Sequence, residues 1–275
     1  MTDTTKPTST NASTRNSADA STSDSTSAKT STTSTAAHNL AAELRLTPEQ
    51  LAERTKNRHA GRNVEGDAGD AGDAGVADIA KPTDFATLSM LHRMIAGQLY
   101  RADDSEIRAA SIAGKSAAQA INRLDFADEE TRNRKLAELL GTFGEGTTVI
   151  PDITVDYGFN IHIGDHTFVN FHSVFLDVCP ITIGNHCQIG PRAQFLTPLH
   201  PIDNVALRAA EWEYGAPITL EDNVWLAGGV TVCAGVTIGA NTVVGAGSVV
   251  TRDLPPGVVA VGSPARVIRE LQQEA

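Results

Sequence analysis

Between residues 220 and 250 an aliphatic side chain recurs at every sixth position: Leu220, Leu226, Val232, Ile238, Val244 and Val250. The residue that follows is often small, as at Ala227, Cys233, Gly239 and Gly245. Such a period suits neither the turn of a helix nor the simple alternation of a strand. It describes a chain that runs straight, turns a corner and repeats. Each corner has a branched aliphatic pointing inward and a tight turn favouring Gly, Ala, Asn or Asp. Three straights close a triangular coil, and stacked coils form a parallel β-helix of hexapeptide repeats. A scaffold of this kind needs no chemistry of its own, and that reading has to be weighed against any activity.

Earlier coils carry the same spacing. Ile163, Val169 and Phe175 form one set of sixes, and Ile183, Ile189 and Phe195 the next. The phase slips by two at Cys179-Pro180, where a corner absorbs the extra residues. From Pro198 to Ala216 the period vanishes, which predicts a loop thrown out from the coil; loops of that length in compact domains are usually functional. Repeats resume at Ile218, and Pro255-Pro256-Gly257 ends them.

The N-terminal third is different. Residues 1 to 37 are dominated by Ser, Thr, Ala and Asn, too polar to offset the entropy of ordering, and are expected to be disordered. Thr47-Pro48-Glu49-Gln50 reads as a helix start running to Lys56, and the Gly-Asp-Ala repeats of 66–75 as a flexible linker. From Asp84, a plausible N-cap, Phe85, Leu88, Leu91, Ile95 and Leu99 share a helical face. Helices are also expected over 105–124 and 128–140, the latter stopped at Gly141. The predicted organisation is a tail and linker over 1–82, a helical cap over 83–143, a β-helix over 144–255 with its loop at 198–216, and a closing strand and helix over 256–275. So small a cap needs the β-helix to pack against.

With 33 acidic against 22 basic side chains the formal charge is −11, which disfavours nucleic acid as a partner. No apolar run is long enough to cross a bilayer, and the N-terminus lacks the apolar segment of a secretory signal. Cys179, Cys187 and Cys233 are odd in number and form no C-x-x-C pair, so they read as reduced thiols of a cytoplasmic protein.

His200 stands at the root of the long loop, in Thr197-Pro198-Leu199-His200-Pro201-Ile202-Asp203. The neighbouring prolines restrict its backbone, and an imidazole suits general-base work on a hydroxyl. His162, His166, His172 and His186 lie in the early coils. His166 and His172, six residues apart, fall on neighbouring faces and do not converge as zinc ligands would. No metal is expected, and these read as exposed corner residues.

Several motifs resemble the bacterial maltose and galactoside O-acetyltransferases, in that family's order and spacing. They are MIAGQLY (Met94–Tyr100), DYGFNI (Asp156–Ile161), VNF (Val169–Phe171), LDVCPI (Leu176–Ile181), HPID (His200–Asp203), NVW (Asn223–Trp225), GAGSVVT (Gly245–Thr251) and GSPARVIR (Gly262–Arg269). The resemblance covers residues 85–271. It implies a left-handed β-helix, a homotrimer with sites between subunits, acetyl-CoA as donor and a sugar hydroxyl as acceptor. Handedness comes from the resemblance alone, since parallel crossovers usually run the other way.

By motif match His200 is the catalytic base, and Asn170 helps to stabilise the tetrahedral oxyanion. Asp156 falls where the family contacts the sugar; Asp177 stands near, as a sugar contact or as a group orienting His200. Asp103 and Asp104 follow Tyr100, where relatives hold a sugar-binding acid, but Ala102 occupies the closest position and Ser111 stands where a basic contact is expected. Trp225 matches the wall of the pantetheine channel. Gly228 and Ala246 match backbone contacts to CoA, and Thr251, Arg252, Arg266 and Arg269 match the end of the channel, where arginines suit phosphate. Two other readings stay open: the same fold acting on a xenobiotic or another hydroxyl acceptor, and a β-helix that only assembles or binds.

Overall fold

The computed structural model describes residues 88–272. The expected tail, the 47–56 helix, the linker and the Asp84 cap lie outside the described residues. The helical cap opens with α1 (Met90–Ile95), capped by Ser89, and β1 (Tyr100–Arg101). α2 (Ser105–Asn122) and α3 (Glu129–Leu139) follow, with Asp104 and Asp128 as N-caps whose carboxylates accept from first-turn amides. α1 is much shorter than the 85–99 face suggested. Gly97 turns the chain at φ 74°, and a Cβ there would meet the carbonyl oxygen of Gly215 at 2.7 Å.

From Thr142 the chain winds as a parallel β-helix with three faces. The first holds β2 (Thr142–Phe143), β5 (Ile161–Ile163), β8 (Ile181–Ile183), β13 (Ile218–Leu220) and β16 (Thr237–Ile238). On the second are β3 (Thr148–Val149), β6 (Phe168–Val169), β9 (Gln188–Ile189), β14 (Trp225–Leu226) and β17 (Val243–Val244). The third comprises β4 (Ile153–Val155), β7 (Ser173–Leu176), β10 (Gln194–Leu196), β15 (Thr231–Cys233) and β18 (Val249–Val250). All six aliphatics of the period are at most 1% exposed, and Phe175 and Phe195 stack in the interior at 5.0 Å between centroids. The period therefore marks the core.

The corners are built from backbone that favours φ > 0. Between the first and second faces His166, His186, Asn223 and Asn241 take φ from 53° to 62° in successive coils. The rings of His166 and His186 stack at 5.2 Å. Inside the same corner, Thr147 and Thr167 hydroxyls donate to the carbonyls of Gly164 and Gly184, so these buried polar atoms are satisfied. Among the described residues no group of three or more His, Cys, Asp or Glu side chains could hold a metal ion. Cys179 and Cys187 are buried free thiols and Cys233 is half-buried.

The cap closes one end of the helix. Ala118, Ile121, Leu136, Leu139 and Leu140 join the coil's core. Asn122 satisfies the open edge of β4, donating to the Ile153 carbonyl at 2.8 Å and accepting from its amide at 3.0 Å. Two expectations need correction. The aperiodic 198–216 stretch is structured: β11 (Pro198–Leu199), α4 (Val205–Ala209) and β12 (Trp212–Gly215) form an excursion, and β12 pairs antiparallel with both β11 and the cap's β1. The closing element over 256–272 is a hairpin, β19 (Val258–Gly262) with β20 (Ala265–Glu270), not a strand and helix. β19 adds to β17 on the second face, and that ladder overrides the helical preference of the final residues.

Candidate active site

A cavity of about 480 Å³ lies where the excursion meets the cap. Its walls include Tyr100, Ala102, Arg108, Ser111, Ile112 and Lys115 of the cap, Asp156 and Tyr157 of the coil, and His200 and Glu213 of the excursion. The excursion leaves from the corner joining the third face to the first. Asp156, Asp177, His200, Thr251 and Arg252 all belong to that corner.

His200 follows β11. Arg208 of α4 reaches back and donates to the carbonyls of Pro201 and Ile202, fixing the backbone beside the histidine. Among the described residues its ring has no hydrogen-bond partner and is free to take one from a ligand. Tyr100, fully buried, donates its hydroxyl to Glu213 Oε2 at 2.7 Å and ties the excursion to the cap. Burial and the Glu213 carboxylate both push the Tyr100 phenol well above its usual range. Sequence reasoning missed Glu213, because its placement depends on β12 pairing with a strand more than a hundred residues earlier.

Two expected substrate contacts are not in the cavity. Asp177 is completely buried, and its carboxylate accepts from the amides of Asp156 and Tyr157 at 2.9 Å and of Gly158 at 2.7 Å. It does not line the cavity and makes no hydrogen bond to His200; it pins the turn that presents Asp156. Asp103 is turned onto Arg101, whose Nε and Nη2 donate to its two oxygens at 2.9 and 2.8 Å. That guanidinium holds the Asp103 carboxyl below its usual range while Nη1 donates to the Ala210 carbonyl. Asp103 therefore braces a clip between cap and excursion.

Burial raises the Asp177 carboxyl to about 6, against the pull of its three amide donors. A carboxyl raised in the fold contributes stability that is complete below its unfolded pKa and is lost as pH rises through the folded one. The stability difference between the wild type and Asp177→Asn should accordingly shift against the wild type between pH 4 and pH 7, by about 2–3 kcal/mol. Urea denaturation at several pH values measures it, and a pH-independent difference would contradict it.

The remaining candidates sit elsewhere on the prism. Asn170 occupies the corner between the second and third faces, with Gly228 and Ala246 in later coils of the same corner. Its Oδ1 accepts from the Phe171 amide at 2.9 Å, which leaves its NH2 group without a partner among the described residues. Trp225 stands on the second face, 52% exposed. Arg266 and Arg269 lie on β20, which extends that face. One protomer thus carries Asp156, His200, Thr251 and Arg252 on one corner and Asn170, Gly228 and Ala246 on another, with Trp225, Arg266 and Arg269 on the second face.

Comparison with known proteins gives this arrangement its family. Residues 93–144 match the maltose acetyltransferase hexapeptide capping motif, and residues 217–252 match the bacterial transferase hexapeptide of six repeats. The galactoside O-acetyltransferase of Escherichia coli K12 is 37% identical over 184 residues, 67% of this chain and 90% of that protein. The chain belongs to the maltose and galactoside O-acetyltransferase family. It is an acyltransferase of the hexapeptide-repeat type. Among solved structures in this family, a maltose O-acetyltransferase from Clostridium difficile 630 is 41% identical and superposes with a TM-score of 0.66, over 68% of this chain and 99% of its own. A hexapeptide-repeat acetyltransferase from Vibrio cholerae O1 biovar eltor, solved with acetyl coenzyme A, is 40% identical with a TM-score of 0.63, over 68% of this chain and 100% of its own. In this acetyltransferase, no helix of the described residues is long and apolar enough to cross a membrane.

Proposed function

We propose that this acyltransferase moves the acetyl group of acetyl-CoA to a sugar hydroxyl, in a site shared by two copies of a cytoplasmic homotrimer. One observation carries the reading. His200 and Asp156 share a cavity on one corner, while Asn170, Gly228 and Ala246 occupy another corner and Trp225 stands on the adjoining second face. A site using both sets closes only where the first corner of one copy faces the second corner of its neighbour.

There, the His200 imidazole takes the proton of a hydroxyl on an acceptor sugar held by Asp156. The hydroxyl oxygen attacks the thioester carbonyl, and the Asn170 amide donates to the resulting oxyanion. Collapse breaks the carbon–sulfur bond, and the imidazolium returns its proton to the departing thiolate. The residues present fit acetyl-CoA. Trp225 offers an exposed flat wall, Gly228 and Ala246 let a pantetheine chain come close, and Thr251, Arg252, Arg266 and Arg269 offer donors to phosphates.

Thiol release from acetyl-CoA over a panel of maltose, glucose, galactosides and a drug acceptor tests the reading. Turnover with sugars and none with the drug supports it; turnover with the drug alone contradicts it. Trp225→Ala should raise KM for acetyl-CoA about tenfold and leave KM for the sugar unchanged. Equal effects on both would remove Trp225 from the donor channel.

A further inference from the structure

We propose that Lys115 is an acceptor-specificity residue, forming with Asp156 a charge-paired clamp for two adjacent hydroxyls of the sugar. This rests on the sugar acetyltransferase reading above. At the two cap positions where the resemblance implies an acid and a base, Ala102 and Ser111 line the cavity and neither carries charge. Lys115 lies one helical turn beyond Ser111, on the same face of α2. Its Nζ is 3.2 Å from Asp156 Oδ1, and both residues line the cavity. The basic group is therefore present, displaced by a turn.

The two charges are held in fixed register by the backbone behind them. α2 presses on the 156–158 turn so closely that a Cβ on Gly114 would lie 2.1 Å from the Tyr157 carbonyl oxygen. From the other side, Asp177 binds the amides of all three turn residues. The Lys115 side chain is 56% exposed and that of Asp156 21%, so the pair is open to a ligand. An exposed ion pair of this kind adds little to folding stability. Its chemistry is better matched to a diol: the ammonium has donors to spare beyond the one facing Asp156, and the carboxylate keeps Oδ2 as an acceptor. One hydroxyl would donate to the carboxylate while its neighbour accepts from the ammonium, leaving a third hydroxyl turned toward His200.

The test uses the full chain, with kcat and KM measured for the best sugar of the panel and for acetyl-CoA. Lys115→Met should raise KM for the sugar about tenfold, lower kcat less than threefold and leave KM for acetyl-CoA unchanged. Lys115→Arg should restore most of the sugar affinity. A sugar-active wild type whose Lys115→Met variant keeps its sugar KM would overturn the clamp alone. A wild type inactive on every sugar would overturn the clamp and the reading beneath it together. A fall in kcat with no change in either KM would give Lys115 a different role and overturn the clamp as well.

Discussion

His200→Ala lowers the rate of acetyl transfer to sugar by about a thousandfold, because general-base assistance to a hydroxyl contributes at that order. The loss should fall on kcat. The ring of His200 makes no hydrogen bond within the described residues, so its removal costs the fold little. Gly228 and Ala246, proposed to meet the donor, stand on another corner and Trp225 on the second face, so binding of CoA, measured by titration calorimetry, should survive. Retention of the wild-type rate would remove His200 from the chemistry. Loss of CoA binding along with activity would mean that the excursion shapes the donor channel instead.

The β-helix was legible because its core is written at a fixed interval. Leu220 to Val250 is a one-dimensional pattern, and each coil repeats the packing of the last. The corners were legible in part. Asn and Gly at φ > 0 are a familiar signal; His166, His172 and His186 are less usual in that conformation, and the structure places these three at corners, as their spacing suggested. The 198–216 excursion was not legible. Its strands pair with each other and with β1, and nothing local announces a partner so distant. Asp177 was misread for a related reason. A carboxylate at a turn normally faces water, and this one is turned inward by amides of the preceding coil, about twenty residues back in the chain. Stacking the coils sets Asp156 and His200 on one corner and Asn170, Gly228 and Ala246 on another, a division that could not be seen along the chain.

The division has its own consequence for catalysis. In the proposed mechanism Asn170→Ala takes away the amide donor to the developing oxyanion, and it should lower kcat by two to three orders of magnitude. In the proposed trimer, His200→Ala and Asn170→Ala chains would damage opposite halves of a site shared by two copies. Every mixed trimer then contains one site that draws His200 from one copy and Asn170 from its neighbour, both intact.

Co-refolding the two inactive variants in equal amounts, then assaying thiol release with sugar and acetyl-CoA, is the most direct test of a site built across copies. Random mixing should recover about a quarter of wild-type activity, far above either variant alone. Activity no greater than the average of the two separate variants, in trimers shown to be mixed, would contradict it.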